Sequence, residues 1–429
     1  MMGAFRASPV FTALAHVATA MTSQYCTDDE VRVVWDTDLK DRQVVGLVNG
    51  DHYCFANATM QCLASTPMVG NLAINSPLPQ IVEGQPSKYA KFETFIGKLR
   101  PRKGTSNIPV ERRFVDEQGI DGEANELGWV DVYKLMKTDK DCKNGAADAD
   151  EFLQAFLQYL ADRELETQLT LKGVLDLGTL RTNRAFNYYQ KGSKICTNCH
   201  RQTLEQGETY SSNPPLRLDA HKETKKQNIS IMDLLTDTLL SKKELSCEAC
   251  FEPTMYVETR FVFPPNNLIL KWEMVNKTVT LEKTLDIQLF VDGSGEHQYE
   301  LHGIMVFEDG NDHYIAYVQN MDKKWYKTND RTSTPINWED IKTRTHSGHL
   351  LFYHRTSPNV NAFPQDSPTL PAATWAKQTP EDQRRVGLLR LRQKLQRGEV
   401  VSLHTSPLTK KQKTRLGNNL RHLQLVALQ

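Results

Sequence analysis

At 429 residues the chain is longer than one average domain and has room for two or three lobes, each with its own core. A hydrophobic content of 39% and a charged content of 24% exclude a disordered class, and no apolar run approaches the roughly 18–20 residues of a membrane span. Net charge is +0 but uneven: residues 356–429 hold 12 Lys and Arg against 4 Asp and Glu, so the preceding body is acidic by the same margin and suits a basic partner.

Residues 1–27 carry no acid, one basic residue (Arg6) and many Ala, Thr and Ser. They read as a leader, either unstructured or of the mitochondrial-presequence kind. A mixed apolar and charged lead-in runs to residue 45. From Cys54 to Thr66, CFANATMQCLAST predicts a helix stopped by Pro67, and residues 78–85 read as loop. Ser87–Arg100 is amphipathic, with Tyr89, Phe92, Phe95, Ile96 and Leu99 at helical spacing. After a polar stretch comes the clearest helix: Ala149, Phe152, Leu153, Phe156, Leu157 and Leu160 form one apolar stripe. Asp148 and Glu151 flank that stripe, either to complement the helix dipole or to serve a site.

Residues 181–263 change texture. The short β-prone runs RAFNYYQ, LRLDA and YVETRFVF surround two Cys-x-x-Cys pairs, with a short helix over 231–240 between them. Further strands are predicted at 267–272, 285–291, 299–308, 313–320, 324–328 and 349–355, punctuated by turn residues. Helices first and strands second predict an α+β fold with segregated lobes. Beyond Arg355 a Pro, Ser, Thr and Ala linker covers 356–378, and 379–429 is a basic tail. The tail opens with the helix start Thr379-Pro380-Glu381-Asp382 and contains LLRLR and KKQKTR.

Four of the eight cysteines form the pairs Cys196/Cys199 and Cys247/Cys250, while Cys26, Cys54, Cys62 and Cys142 are scattered. That pattern fits a reduced compartment, cytoplasmic or nuclear, better than a disulfide framework. Two knuckles separated by 47 residues supply four thiolates for tetrahedral Zn²⁺. With no open coordination position the metal would be structural. The alternative is four unliganded thiols.

Cys54 follows Asn49 by five residues and opens a helix, where the dipole lowers a thiol pKa. A lone cysteine is otherwise a small buried hydrophobe. A thiol nucleophile also needs a histidine base and a group to orient it. Of 12 histidines, His313 follows the Asp309–Asp312 turn and begins a strand. Asn329 and Asp330 close the next β-prone run, and two antiparallel strands would set Asn329 beside His313.

These residues carry a resemblance. GLVNGDHYCFANATMQCL resembles the cysteine box of the ubiquitin-specific proteases, GLxNxGNTCYMNSxLQxL, and ADADEFLQAFLQYL resembles their QDAxEFLxxLLxxL helix. The two cysteine pairs are similar to the zinc ribbon of that family's fingers. PPNNLILKW, the histidine-box segment YELHGIMVFEDGNDHYIAYVQN with KWYKTND, and the closing HLLFYHR follow in the family's order. The resemblance spans residues 46–355. It implies a papain-like catalytic domain with a helical thumb (about 46–180), zinc-ribbon fingers (about 181–263) and an antiparallel β palm (about 264–355). It also implies a thiol hydrolase acting at the C-terminal glycine of ubiquitin.

In that resemblance Cys54 matches the nucleophile, His313 the general base and acid, and Asn329 the orienting residue with Asp330 as its neighbour. Asn49 matches the oxyanion donor. Asp148, Glu151 and Tyr314 match residues that meet the ubiquitin tail. Ubiquitin and ubiquitinated proteins are the implied partners, a monomer is expected, and nucleic acid is not. The family's Gly-Asn-Thr is Asp51-His52-Tyr53 here, and the glycine before the histidine is Asp312. These departures keep a second reading open, a weak or inactive ubiquitin-binding scaffold of the same fold. A zinc-ribbon nucleic-acid binder using the basic tail is a third.

Overall fold

The computed structural model describes residues 33–49, 53–78, 81–82, 85–86, 88–104, 148–172, 180–199, 202–204, 210–212, 214–218, 228–250, 253–272, 278–292, 296–308, 313–344 and 348–357. The leader, Asp51, His52, Asp312 and the tail with LLRLR and KKQKTR lie outside these residues. Among the described residues no helix is long and apolar enough to cross a membrane.

Helices dominate the first half: α1 (Cys54–Ala64), α2 (Pro67–Asn75), α3 (Lys88–Leu99), α4 (Ala149–Lys172) and α5 (Arg181–Phe186). The small hairpin β1 (Ile81–Val82) and β2 (Gln85–Pro86) lies before α3. All eleven residues of α1 are buried, as a helix apolar on most sides requires. Two of its polar side chains bond inside: Thr59 Oγ1 donates to Phe55 O (2.8 Å) and Gln61 Nε2 to Val45 O (2.7 Å). The stripe predicted on α4 meets α1 and α3 through aromatic edges, Phe55 on Phe152 and Phe92 on Phe156.

The fingers are a sheet ordered β4 (Gln202–Leu204), β3 (Tyr188–Cys196), β9 (Met255–Phe263), β8 (Leu240–Lys243), with β5 (Tyr210–Ser212) also on β3. Helix α6 (Ile231–Leu239) begins with a capping box: Ser230 Oγ accepts from Asp233 N and Asp233 Oδ2 from Ser230 N, both at 3.0 Å. Strand β7 (Asn228–Ser230), just before it, pairs in parallel with β11 (Thr278–Thr280).

The palm sheet runs β16 (Thr332–Ile336), β15 (Trp325–Asn329), β14 (His313–Gln319), β13 (Gln298–Glu308), β17 (Gly348–Arg355), β10 (Asn267–Trp272), β6 (Leu216–Leu218), with β12 (Thr284–Asp286) also on β13. All its pairings are antiparallel except β6 with β10. One face carries the thumb helices and the other a second core with α6. Gly303 on β13 permits the first packing. A Cβ there would lie 3.2 Å from Phe352 Cβ and 3.3 Å from Cys62 Sγ of α1.

Four expectations need correction. Pro67 does not merely end α1; it opens α2 at the first helical position, where its missing N–H costs nothing. Residues 78–85, read as loop, contribute to the β1–β2 hairpin. RAFNYYQ is not one strand: its first residues end α5, which runs from Arg181 to Phe186 and is started where the Glu164 carboxylate takes the N–H groups of Arg181 and Thr182. The run LDIQLFV is β12 followed by a 3-10 turn, Gln288–Phe290, nucleated where Asp286 Oδ1 accepts from Gln288 N (3.0 Å). Helix α7 (Trp338–Arg344) and the edge strand β16, which carries Pro335, have no counterpart among the predicted elements.

Two histidines are buried between the sheet and the α1–α2 corner. His302 Nε2 is 3.0 Å from Thr66 Oγ1, and His302 Nδ1 is 3.3 Å from His354 Nδ1. Burial pushes both imidazoles down, His302 well below its ordinary value and His354 to about 4. Both are neutral in the fold, so below about pH 6.5 the unfolded chain binds protons that the native state refuses. Stability contributed by the pair is complete above that pH and is lost progressively toward pH 4. Urea unfolding should show lower stability at pH 5 than at pH 7, by about 2 kcal/mol from His354 alone, and His354→Asn should remove that part of the slope. An unchanged slope in the variant would contradict the assignment.

Candidate functional site

The site is assembled by the loop entering α1, the first turn of α1 and the ends of β14 and β15. Cys54 is the first residue of α1 and is 7% exposed. No side chain caps this helix, and the amides of Cys54 and Phe55 at its start act on the sulfur. Burial is the largest influence on the thiol and raises its pKa. The amide of Tyr314 opposes it, the Asp330 carboxylate adds to it, and the amides of Phe55 and Cys54 oppose it. The net direction is upward, the reverse of what a helix N-terminus alone predicts.

His313 begins β14 and Asn329 ends β15, so the antiparallel pairing of the two strands sets their side chains together. His313 Nε2 is 2.8 Å from Asn329 Oδ1. An amide oxygen can only accept, so Nε2 carries the proton and Nδ1 keeps the lone pair.

Asp330 follows at φ 45, a left-handed conformation that Asp tolerates better than most residues. Its Oδ2 accepts from Asn49 Nδ2 (2.9 Å) and lies 3.6 Å from His313 Nε2, and its Oδ1 accepts from Asn57 Nδ2 (2.7 Å). Asn49 Oδ1 in turn accepts from Tyr53 N at 3.2 Å, just before the cysteine. One hydrogen of the Asn49 amide is thus spent on Asp330, and the second is left to point elsewhere. Asn57 is not among the residues singled out by sequence. It lies three residues after Cys54 on the same helix face, and that spacing is the available signal.

At the start of α4, Asp148 acts as a helix cap: Oδ1 accepts from Asp150 N (3.1 Å) and the carbonyl from Phe152 N (3.1 Å). Its Oδ2 also lies 3.3 Å from Lys271 Nζ. Tyr314, half-buried beside Cys54, is raised first by burial and next by the charge of Asp148, while the amide of Ala149 opposes the shift. Glu151 is half-buried one turn further on. Asp150, Lys271 and Arg217 form a charged group behind Asp148 that sequence reasoning also misses.

At the far end of the fingers Cys196, Cys199, Cys247 and Cys250 converge, with sulfur atoms all within 4.8 Å of one another. Cys196 Sγ is 3.4 Å from Cys250 Sγ, and Cys199 Sγ is 3.7 Å from Cys247 Sγ. Burial raises the Cys196 thiol, but the amides of Cys199 and Asn198, each 3.4 Å from its sulfur, help bring it down to about 6. A cluster of this kind can hold a metal ion.

Residues 45–353 match the family model described as ubiquitin carboxyl-terminal hydrolase. Ubiquitin carboxyl-terminal hydrolase 16 of Arabidopsis thaliana is 24% identical over 344 residues, covering 74% of this chain and 31% of that protein. Ubiquitin C-terminal hydrolase 15 of Oryza sativa subsp. japonica is 24% identical, covering 73% of this chain and 32% of that protein. This chain therefore spans less than half the length of either relative. The solved SAGA DUB module Ubp8/Sgf11/Sus1/Sgf73 bound to monoubiquitin matches in fold with a TM-score of 0.53 at 16% identity, covering 82% of this chain and 77% of that chain.

The cluster depends on close backbone passage at Gly46. A Cβ there would lie 2.2 Å from Arg331 O and 2.6 Å from Asp330 O, main-chain atoms that cannot rotate away. Gly46→Ala should therefore push the Asp330 turn off its asparagines and cost about 1–3 kcal/mol in urea unfolding. A variant of wild-type stability would show that the two segments are free to part.

Proposed function

The chain belongs to the ubiquitin carboxyl-terminal hydrolase family, and from that premise we propose that it is a thiol-dependent deubiquitinase. The proposed reaction is hydrolysis of the peptide or isopeptide bond after the C-terminal glycine of ubiquitin. The observation that carries this reading is the 2.8 Å contact of His313 Nε2 with Asn329 Oδ1, in the same cluster as a cysteine at a helix start. It fixes the tautomer that leaves Nδ1 as a base.

Burial keeps the resting Cys54 as a thiol, so attack begins with transfer of its proton to His313 Nδ1. The thiolate adds to the glycine carbonyl. The second hydrogen of the Asn49 amide and the first N–H groups of α1 are suited to the oxyanion, where one donor is typically worth about 10²–10³ in rate. The His313 imidazolium, with the Asp330 carboxylate 3.6 Å from its Nε2, returns the proton to the departing amine. Water activated by His313 then cleaves the thioester. Asp148, Glu151 and Tyr314 line the approach. Carboxylates there suit the arginines of an extended tail, which they can grip by two-point hydrogen bonds.

One observation favours the alternative, a weak or inactive ubiquitin-binding scaffold: the raised pKa of a thiol that is only 7% exposed. The two readings separate in one measurement. A ubiquitin probe with a C-terminal electrophile should form a covalent adduct that Cys54→Ala abolishes, and His313→Ala should slow turnover at least about 10²-fold. Ubiquitin binding without adduct or turnover would establish the scaffold instead.

The four fingers cysteines suit Zn²⁺. Tetrahedral Zn–S bonds of about 2.3 Å imply sulfur separations of about 3.8 Å. The observed 3.4 and 3.7 Å lie close to that, and backbone N–H groups already favour the Cys196 thiolate. Bound there, zinc would tie the two cysteine turns together and serve structure alone. Purified protein should carry one zinc per chain. Chelation or Cys199→Ser should sharply lower the melting temperature, since structural zinc contributes on the order of 10 kcal/mol in small domains. Unchanged melting after complete zinc removal would reject the assignment.

A further inference from the structure

Lys271 and Arg217 are register partners on the parallel strands β10 and β6, so two cations are set side by side. Like charges in that arrangement repel and need an anion between them. Asp150 supplies it. Although it stands in the first turn of a helix, its side chain is only 1% exposed; its Oδ2 accepts from Arg217 Nη2 (2.9 Å) and forms an ion pair with Lys271 Nζ at 2.8 Å. Its Oδ1 is buried without a hydrogen-bond partner.

Lys271 has a second acid within reach, Asp148 Oδ2 at 3.3 Å, the longer of its two contacts. The lysine side chain is 8% exposed, whereas Asp148 is 41% exposed toward the cleft. Lys271 is therefore shared between a buried acid in close ion-pair contact and an exposed one to which it donates a longer hydrogen bond. Asp148, Asp150 and Glu151 oppose Lys271 and Arg217, so this corner keeps one net negative charge among the described residues.

We propose that Asp150, with Arg217 beside it, is a positioning residue that draws Lys271 away from Asp148 and thereby sets how tightly the cleft binds a basic tail. This rests on the reading that Asp148 meets an arginine of the ubiquitin tail. An arriving guanidinium has to compete with Lys271 for Asp148. With Asp150 ionised in place, the lysine retains its closer partner throughout, and the exchange costs little. Without that charge the lysine has only Asp148 to turn to, and the incoming arginine must break that ion pair.

Steady-state kinetics on ubiquitin-aminomethylcoumarin test this with Asp150→Asn, Lys271→Met and the double variant. Asp150→Asn should raise KM about tenfold with kcat within about twofold, while Lys271→Met should lower KM. The double variant should return KM to within about threefold of wild type, because the competing cation is gone. A purely structural role would not produce that rescue. A ubiquitin substrate whose tail arginines are replaced by leucine should abolish the differences among the variants. The inference fails if wild type turns over and Asp150→Asn leaves KM unchanged, lowers kcat in proportion, or is not rescued by Lys271→Met. If wild type binds ubiquitin without turnover, dissociation constants by fluorescence anisotropy should follow the same order, and any other order overturns the inference. Absence of both turnover and binding in wild type overturns the proposed function first, and this inference with it.

Discussion

One carboxylate, that of Asp330, holds the candidate site together. Its main-chain oxygen accepts from Leu47 N (2.8 Å), which ties the end of β15 to the segment leading into α1. Its side chain then reaches three elements at once: Asn49 on that segment, Asn57 on α1, and the ring of His313 on β14. A left-handed residue at this point aims the carboxylate back over the thumb, and its two oxygens divide the partners so that neither asparagine competes with the other. Cys54 comes from the helical lobe and His313 from the sheet, and this anchored turn ties the two segments together beside the core that packs α1 on the sheet.

That anchor is effective because what surrounds it is rigid. Helix α1 is buried along its whole length, and Arg100 locks its far end by donating to Gln61 O (2.9 Å), Gln61 Oε1 (3.0 Å) and Ser65 Oγ (2.6 Å). Arg100 is itself fully buried, and burial lowers its pKa to about 9. The oxygens that receive these three bonds are all neutral. Arg100 acts as a cation at the C-terminal end of the helix whose first residue is Cys54. The Arg181–Glu93 pair at 2.6 Å does the same kind of service between α3 and α5. Buried ion pairs of this sort are weak sources of stability, and their value here is in fixing geometry.

Much of this is legible in the sequence where local pattern decides structure. The apolar stripe on α4 and the short apolar, β-prone runs of β13, β14, β15 and β17 bounded by turn residues are signals that packing respects. His313 and Asn329 can be paired from their positions in the chain, because a turn followed by two short strands leaves few registers. What escapes are contacts decided by other elements. Asp150 looks like an ordinary first-turn acid, and only the parallel pairing of β6 with β10 surrounds it with cations. Asn57 looks like any polar residue on a helix until Asp330, more than 270 residues later, turns back to meet it. The run LDIQLFV has strand composition throughout, but one Asx contact at Asp286 diverts it.

The state of Cys54 shows the same limit as an energy comparison. A helix N-terminus contributes about 0.3–1 kcal/mol to a nearby anion at an exposed site, screened by solvent. Burial acts on the thiolate more strongly, and Asp330, which the site needs for His313 and Asn49, adds repulsion. Position along the helix therefore predicts the sign of one contribution, and the surrounding fold sets the sign of the sum. Only a thiolate reacts, so on the proposed reading the cysteine waits for a base to remove its proton. The contact with Asn329 commits His313 Nε2 and leaves Nδ1 as the basic nitrogen of that tautomer. The same carboxylate that opposes the thiolate lies 3.6 Å from the His313 ring and holds Asn49 and Asn57, so the contact that assembles the candidate site also bears on the state of its cysteine.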